Sequence, residues 1–280
     1  MQELINNFLG VLPFEFLNYT FMKNAFIAIL LATPIFAILG TMIVNNKMAF
    51  FSDSLGHSAI CGIAIGTLFG ITDTNISMIL FACLFAIALN MVKHKVAYGA
   101  DTIISVFSSI AIAIGLAILT AQGSFNQYSN ILVGDILSIN WHEIVYLFIT
   151  FVIVFVVWYY MFNKIHAISI NTSLAKSKKI NIMLVDDVFV ILIAVVVMVS
   201  IRWVGILLIN SLLILPAASS RNIAKNMRQY HLIAVAISMF SGLTGLIISY
   251  YHNIPTGPMI VIIAGIIYFI TFGLKDKIKE

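Results

Sequence analysis

Asp53 and His57 stand four residues apart in the run Phe51-Ser52-Asp53-Ser54-Leu55-Gly56-His57-Ser58-Ala59-Ile60-Cys61-Gly62. On an α-helix that spacing puts both side chains on one face. A carboxylate and an imidazole so placed can share one divalent transition metal ion, and the metal offsets the charge of a buried carboxylate. The same residues also suit structural roles, with Asp53 capping a helix start and His57 bonding a neighbouring helix. The spacing leaves both readings open. Cys61 extends the face by one turn and fits a small packing residue better than a third, soft ligand. Beside the pair, Ser54, Ser58, Gly62, Gly66 and Gly70 form a small-xxx-small ladder. Such a ladder admits a closely packed helix, from this chain or from a second copy.

The elements that must position this pair are set by lipid. The chain has 280 residues, of which 61% are hydrophobic and only 9% charged, with a mean hydropathy of +1.07. Soluble domains carry about 25% charged residues. That deficit excludes a water-soluble enzyme, a disordered chain and a nucleic-acid binder, despite a pI near 9.0. A membrane-spanning helix needs about 20 mostly apolar residues. Nine stretches qualify, at 25–44, 49–71, 76–92, 102–121, 144–162, 184–201, 204–220, 232–251 and 258–274. The fold class is therefore all-α, a polytopic integral membrane protein of about eight or nine spans in one domain over 1–280. The stretch 184–220 is interrupted by Arg202-Trp203 and Pro216, which fits two short crossings or a re-entrant hairpin. His57 lies ten residues beyond Lys47. At about 1.5 Å per residue that is about 15 Å, near the bilayer midplane. Residues 1–20 lack the basic start of a secretory signal, and Leu4, Ile5, Phe8, Leu9, Leu12 and Phe16 make an amphipathic piece suited to the membrane surface.

Charge assigns the sides. Lys47, Lys93, Lys95, Lys164, Lys176, Lys178, Lys179, Arg221, Lys225, Arg228, Lys275, Lys277 and Lys279 all follow odd-numbered spans, which leaves only Lys23 and Arg202 of the 15 cations elsewhere. By the positive-inside rule those connections are cytoplasmic and the amino terminus is outside. Most of the remaining ionisable residues read as solvated, with an incoming ion or a partner as the alternative for His142, Glu143 and His252. Asp73, Asp101, Asp135, His142, Glu143 and His252 fall at span ends, with His142, Glu143 and His252 on the outer side. Asp186 and Asp187 sit just inside the cytoplasmic boundary, and His94, His166 and His231 lie among basic loops. Cys61 and Cys83 sit in apolar stretches and do not suggest a disulfide.

No G-x-x-x-x-G-K-[ST] phosphate loop occurs, so an ATP-driven mechanism would need a separate ATPase subunit. The longest cytoplasmic loop, 163–183, offers Asn171-Thr172-Ser173-Leu174-Ala175-Lys176-Ser177 as a short helix with a Ser or Thr cap. A docking element and a plain connector fit that composition equally.

In several ordered stretches the chain resembles the membrane subunits of bacterial ABC importers for zinc, manganese and iron(II). Residues 48–66 (MAFFSDSLGHSAICGIAIG) resemble the family's D-x-[LI]-x-H-[AS]-x-x-x-G segment. Residues 98–119 resemble a segment opening with an acidic residue and Thr, and Leu132-Val133-Gly134-Asp135-Ile136-Leu137 its LFGDLL element. Residues 204–221 (VGILLINSLLILPAASSR) and Ile254-Pro255-Thr256-Gly257-Pro258 match two further elements. Two places depart from the pattern. Cys61 stands where an aliphatic residue or proline is commoner, and Ser177-Lys178-Lys179 where an acidic or small residue precedes glycine.

The resemblance implies a permease of the bacterial cytoplasmic (inner) membrane that works as a pair of copies with an alternating pathway. It implies a cytoplasmic ABC ATPase and an extracytoplasmic metal-binding protein as partners, and no enzymatic activity in this chain. It carries the metal contacts onto Asp53 and His57, and ATPase coupling onto Ser173, Leu174, Ala175 and Lys176. No resident cofactor is implied; Zn2+, or next Mn2+, is the substrate, since imidazole suits zinc and a carboxylate either ion. Two rivals remain on sequence grounds. One is a secondary transporter driven by an ion gradient. The other is an intramembrane metalloenzyme, which the missing H-E-x-x-H and the want of a third ligand disfavour.

Overall fold

A computed structural model describes residues 15–71, 73–95, 100–128 and 130–279. The expected amphipathic segment at 1–20 falls mostly outside them. Among the described residues there are nine long helices: α1 (Thr20–Asn45), α2 (Ala49–Leu68), α3 (Thr74–Lys95), α4 (Ala100–Ala121), α5 (Trp141–Ile170), α6 (Ile182–Val204), α7 (Ile206–Ile223), α8 (Met227–His252) and α9 (Thr256–Lys279). No strand occurs among the described residues. All nine expected spans are helical, and the chain is an all-α, multi-pass membrane protein.

Eight of these helices are long and apolar enough to cross a bilayer; the exception is α2. Its Ser52, Asp53, Ser54, Gly56, His57 and Ser58 dilute its apolar residues. It is nevertheless largely enclosed by other helices, with α3, α4, α6 and α7 packed around it. Such a helix is held by protein rather than by lipid, and its small residues permit that closeness. A Cβ at Gly62 would press on Met78 of α3 and one at Gly66 on Ser77. Ser77 donates to the Gly62 carbonyl oxygen. Within the small-residue ladder, Gly62 and Gly66 thus serve packing within the chain, while a Cβ at Gly70 would meet nothing within 4 Å.

The charge-based sides hold together in space. Lys47, Lys93, Lys176 and Asp186 line one cleft at one end of the bundle. Asp73, Asp135, Glu143 and Arg202 line a cavity of about 1130 Å³ at the other. The stretch 184–220 forms two helices, each long and apolar enough to cross a bilayer, that run from one end of the bundle to the other and back. At the end that holds the larger cavity, the Asp135 N–H donates to the Arg202 carbonyl at 3.4 Å. At the end that holds the lysine-lined cleft, Arg221 reaches the Val44 carbonyl at 3.5 Å and Ser220 donates to that of Tyr230 at 2.6 Å. The α6–α7 turn is made by Gly205 at φ 92°, with its backbone against Gly134 at φ 71°. A side chain at either would strike the other strand of backbone, so glycine is needed at both.

Two sequence expectations need correction. The loop at 163–183 is largely helical: α5 runs on to Ile170, eight residues past the expected end, and a short helix follows at Thr172–Ser177. Its cap is Asn171, whose side-chain oxygen accepts from the Ser173 N–H at 2.8 Å, and not a Ser or Thr. His166 and His231 are not loop residues. His166 stacks on Phe162 within α5, and His231, 7% exposed, exchanges a 2.7 Å hydrogen bond with Thr41 of α1. Thr41 already donates to the Ile38 carbonyl at 2.7 Å, so the imidazole Nδ1–H is the donor to its hydroxyl.

Candidate metal pathway

Asp53 and His57 project from the same face of α2, with Oδ2 and Nε2 3.8 Å apart. Neither structural alternative is realised among the described residues. The helix begins at Ala49 with Met48 as its cap, so Asp53 lies in the second turn and caps nothing. His57 forms no hydrogen bond to a neighbouring helix. Both side chains are half-buried and open into a groove of about 230 Å³ between α2 and α4. An ionisable pair in a spanning bundle without hydrogen-bond partners is costly, and such residues mark ion pathways far more often than they stabilise a fold.

Local packing holds the pair in place. Ser52, one residue before Asp53, donates to Asn210 of α7 at 2.6 Å and anchors that turn of α2. On the α4 side, Gly115 lets the backbone of α2 at Cys61 approach; a Cβ there would lie 2.7 Å from the Cys61 nitrogen. Cys61 is buried in this contact and does not line the groove. It is a packing residue.

The far wall of the groove went unnoticed in the sequence: Ile104, Ser105, Ser108, Ser109 and Ile112 of α4. The signal was there, since 105, 108 and 109 follow helical spacing in an apolar span. A serine in such a span is easily passed over because its hydroxyl can bond back to its own helix, as Ser109 does to the Ser105 carbonyl at 2.9 Å.

Four other acidic residues have structural work. Glu143 completes a capping box with Asn140 at the start of α5 and pairs with Arg202 at 3.1 Å. Asp135 accepts from the Leu137 N–H at 3.0 Å and Asp73 from that of Asn75 at 2.9 Å. Asp187 accepts from the buried Asn90 of α3 at 2.7 Å. Asp101 and His94 carry side chains outside those described. Of the expected coupling residues, Ser173 and Lys176 are exposed on the Thr172–Ser177 helix, Ala175 is buried beneath it, and Lys176 joins the basic cleft with Lys47 and Lys93. The backbone of Leu174 belongs to the same helix.

Comparison with known proteins gives a consistent result. A family model described as the ABC 3 transport family matches residues 18–275. The high-affinity zinc uptake system membrane protein ZnuB of Haemophilus influenzae is 29% identical over 241 residues, covering 86% of this chain and 92% of that protein. The manganese transport system membrane protein MntC of Listeria monocytogenes is 24% identical over 261 residues, covering 93% of each. Among solved structures, PsaBC from Streptococcus pneumoniae in complex with Fab superposes with a TM-score of 0.80 at 23% identity, covering 97% of this chain and 95% of that one.

Proposed function

Since the chain belongs to the ABC 3 transport family, we propose that it is the membrane-spanning subunit of an ATP-driven importer of a divalent transition metal in a bacterial inner membrane. The observation that carries this reading is the unpartnered Asp53–His57 pair facing a groove within a helix that lipid alone would not hold. One carboxylate and one imidazole are few ligands. A site that must release its cargo each cycle needs weak, multi-step binding rather than a closed tetrahedral cage.

Two copies of the chain form the pathway in this reading. The groove is open on the flank of a single chain, where lipid would meet a carboxylate at a cost of about 2.5–3.5 kcal/mol at mid-membrane. A second copy laid over that flank removes the cost and encloses the path. An ATPase on a separate polypeptide docks at the Thr172–Ser177 helix, where Ser173, Leu174, Ala175 and Lys176 meet it beside the basic cleft, and an extracytoplasmic metal-binding protein delivers the ion at the outer cavity. ATP-driven closure at the cytoplasmic end alternates the access of the pair.

Zinc is the favoured cargo and manganese the next, because imidazole suits zinc while carboxylate accepts both. Metal accumulation in a strain deleted for the importer, re-supplied with this chain and its neighbouring ATPase and binding-protein genes, tests the order. Zinc uptake is expected to return. Restored manganese uptake with unchanged zinc uptake would reverse it.

A further inference from the structure

We propose that the hydroxyl face of α4, made by Ser105, Ser108 and Ser109 across the groove from Asp53 and His57, is the specificity-determining wall of the metal path and supplies oxygen donors to the passing ion. This rests on the pair being the metal contact.

Three observations converge on it. Ser105 and Ser109 are exposed and Ser108 is half-buried on a helix whose remaining groove-facing residues are Ile104 and Ile112, so burial within the chain does not explain the exposed hydroxyls. Ser109 gives its proton to the Ser105 carbonyl, which leaves its oxygen lone pairs as acceptors only. Ser54, on the α2 side, is 1% exposed and lines the same groove, yet its hydroxyl has no hydrogen-bond partner. Buried polar groups ordinarily have a hydrogen-bond partner, so this hydroxyl remains free to bond water or an ion in the groove. The groove, about 230 Å³, has room for an ion that keeps part of its hydration.

Oxygen donors have a chemical consequence. Carboxylate, hydroxyl and water suit manganese, whereas imidazole suits zinc. Two protein ligands with an oxygen-rich wall therefore widen the accepted cargo toward manganese. Removing the wall narrows it toward the ion that His57 holds best.

The test is ATP-driven uptake of zinc and of manganese by the assembled transporter carrying Ser105→Ala, Ser108→Ala and Ser109→Ala together. The apparent KM for manganese is expected to rise about tenfold, the worth of one lost hydrogen bond or ligand, with that for zinc changing less than about threefold and maximal rates preserved. Unchanged KM for both ions, or an equal fall in rate for both, overturns the proposal. A second variant keeps the test independent of folding. Ser108→Cys, in a chain with Cys83→Ser, places a thiol opposite His57. Inhibition by cadmium should strengthen about tenfold or more and reverse with a chelator, because thiolate and imidazole together prefer soft ions. Cadmium sensitivity equal to that of the parent counts against the wall. Asp53→Ala run in parallel separates the two ideas: if it transports normally, the metal-pathway reading itself fails, whereas its loss of transport beside indifferent serine variants removes only the wall.

Discussion

Asp53→Ala and His57→Ala are each expected to lower metal uptake by about a hundredfold or more while leaving membrane insertion, stability and ATPase association intact. The magnitude follows from metal chemistry, in which even partners that merely orient a ligand are worth about 10–100-fold. The sparing of stability follows from the fold. Among the described residues neither side chain makes a hydrogen bond, and they meet each other only at 3.8 Å. Their removal leaves no buried group orphaned, so the change in stability should stay within about 0.5 kcal/mol. A structural pair would behave in the opposite way, with thermal stability falling and residual uptake tracking the amount of folded protein. Uptake assayed in membrane vesicles, beside thermal melting of the purified chain, distinguishes the two. Wild-type uptake in both variants would return the pair to a structural role.

Gly205→Ala is expected to destabilise the chain by about 3 kcal/mol, of the order of 6–12 °C in melting temperature. Two penalties act together. At φ 92° the backbone lies where a side chain is strained, and the added Cβ would meet the Val133 carbonyl carbon and oxygen directly. The Gly134–Gly205 crossing sets the angle at which α7 leaves α6 to run along α1, α8 and α9. Through Asn210 and Ser52 that angle also fixes the turn of α2 that bears Asp53. Uptake should therefore fall together with stability. Gly265→Ala is the matched control, because nothing lies within 4 Å of its added Cβ. Inside α9 it should be neutral or stabilising by up to about 1 kcal/mol. Equal melting temperatures for the two variants would mean that the crossing does not hold the outer end.

Much of this architecture is legible before any coordinates. Lipid forces backbone groups to bond within each helix, so span positions follow from apolar length, and the lysines report the sides. The ends of helices are less legible. Lys164 and His166 look like loop residues, yet α5 continues through them because a helix that has left the bilayer need not stop. His231 gave no local sign of burial; its partner Thr41 is 190 positions away, and only the packing of α8 on α1 brings them together. The Asp53–His57 face was readable from spacing, but its openness was not. Whether a polar face of α2 meets a neighbour or a groove depends on which helices surround it. Here α3, α6 and α7 close the other sides, and α4 leaves a serine-lined gap.

The central claim is that Asp53 and His57 hold the ion in transit. X-ray absorption at the zinc edge, on the purified chain loaded with zinc, addresses it most directly. The account predicts nitrogen and oxygen neighbours at about 2.0–2.2 Å with the outer-shell pattern of an imidazole, and the loss of that pattern in His57→Ala. Zinc bound with the same spectrum in His57→Ala as in the parent chain would contradict it.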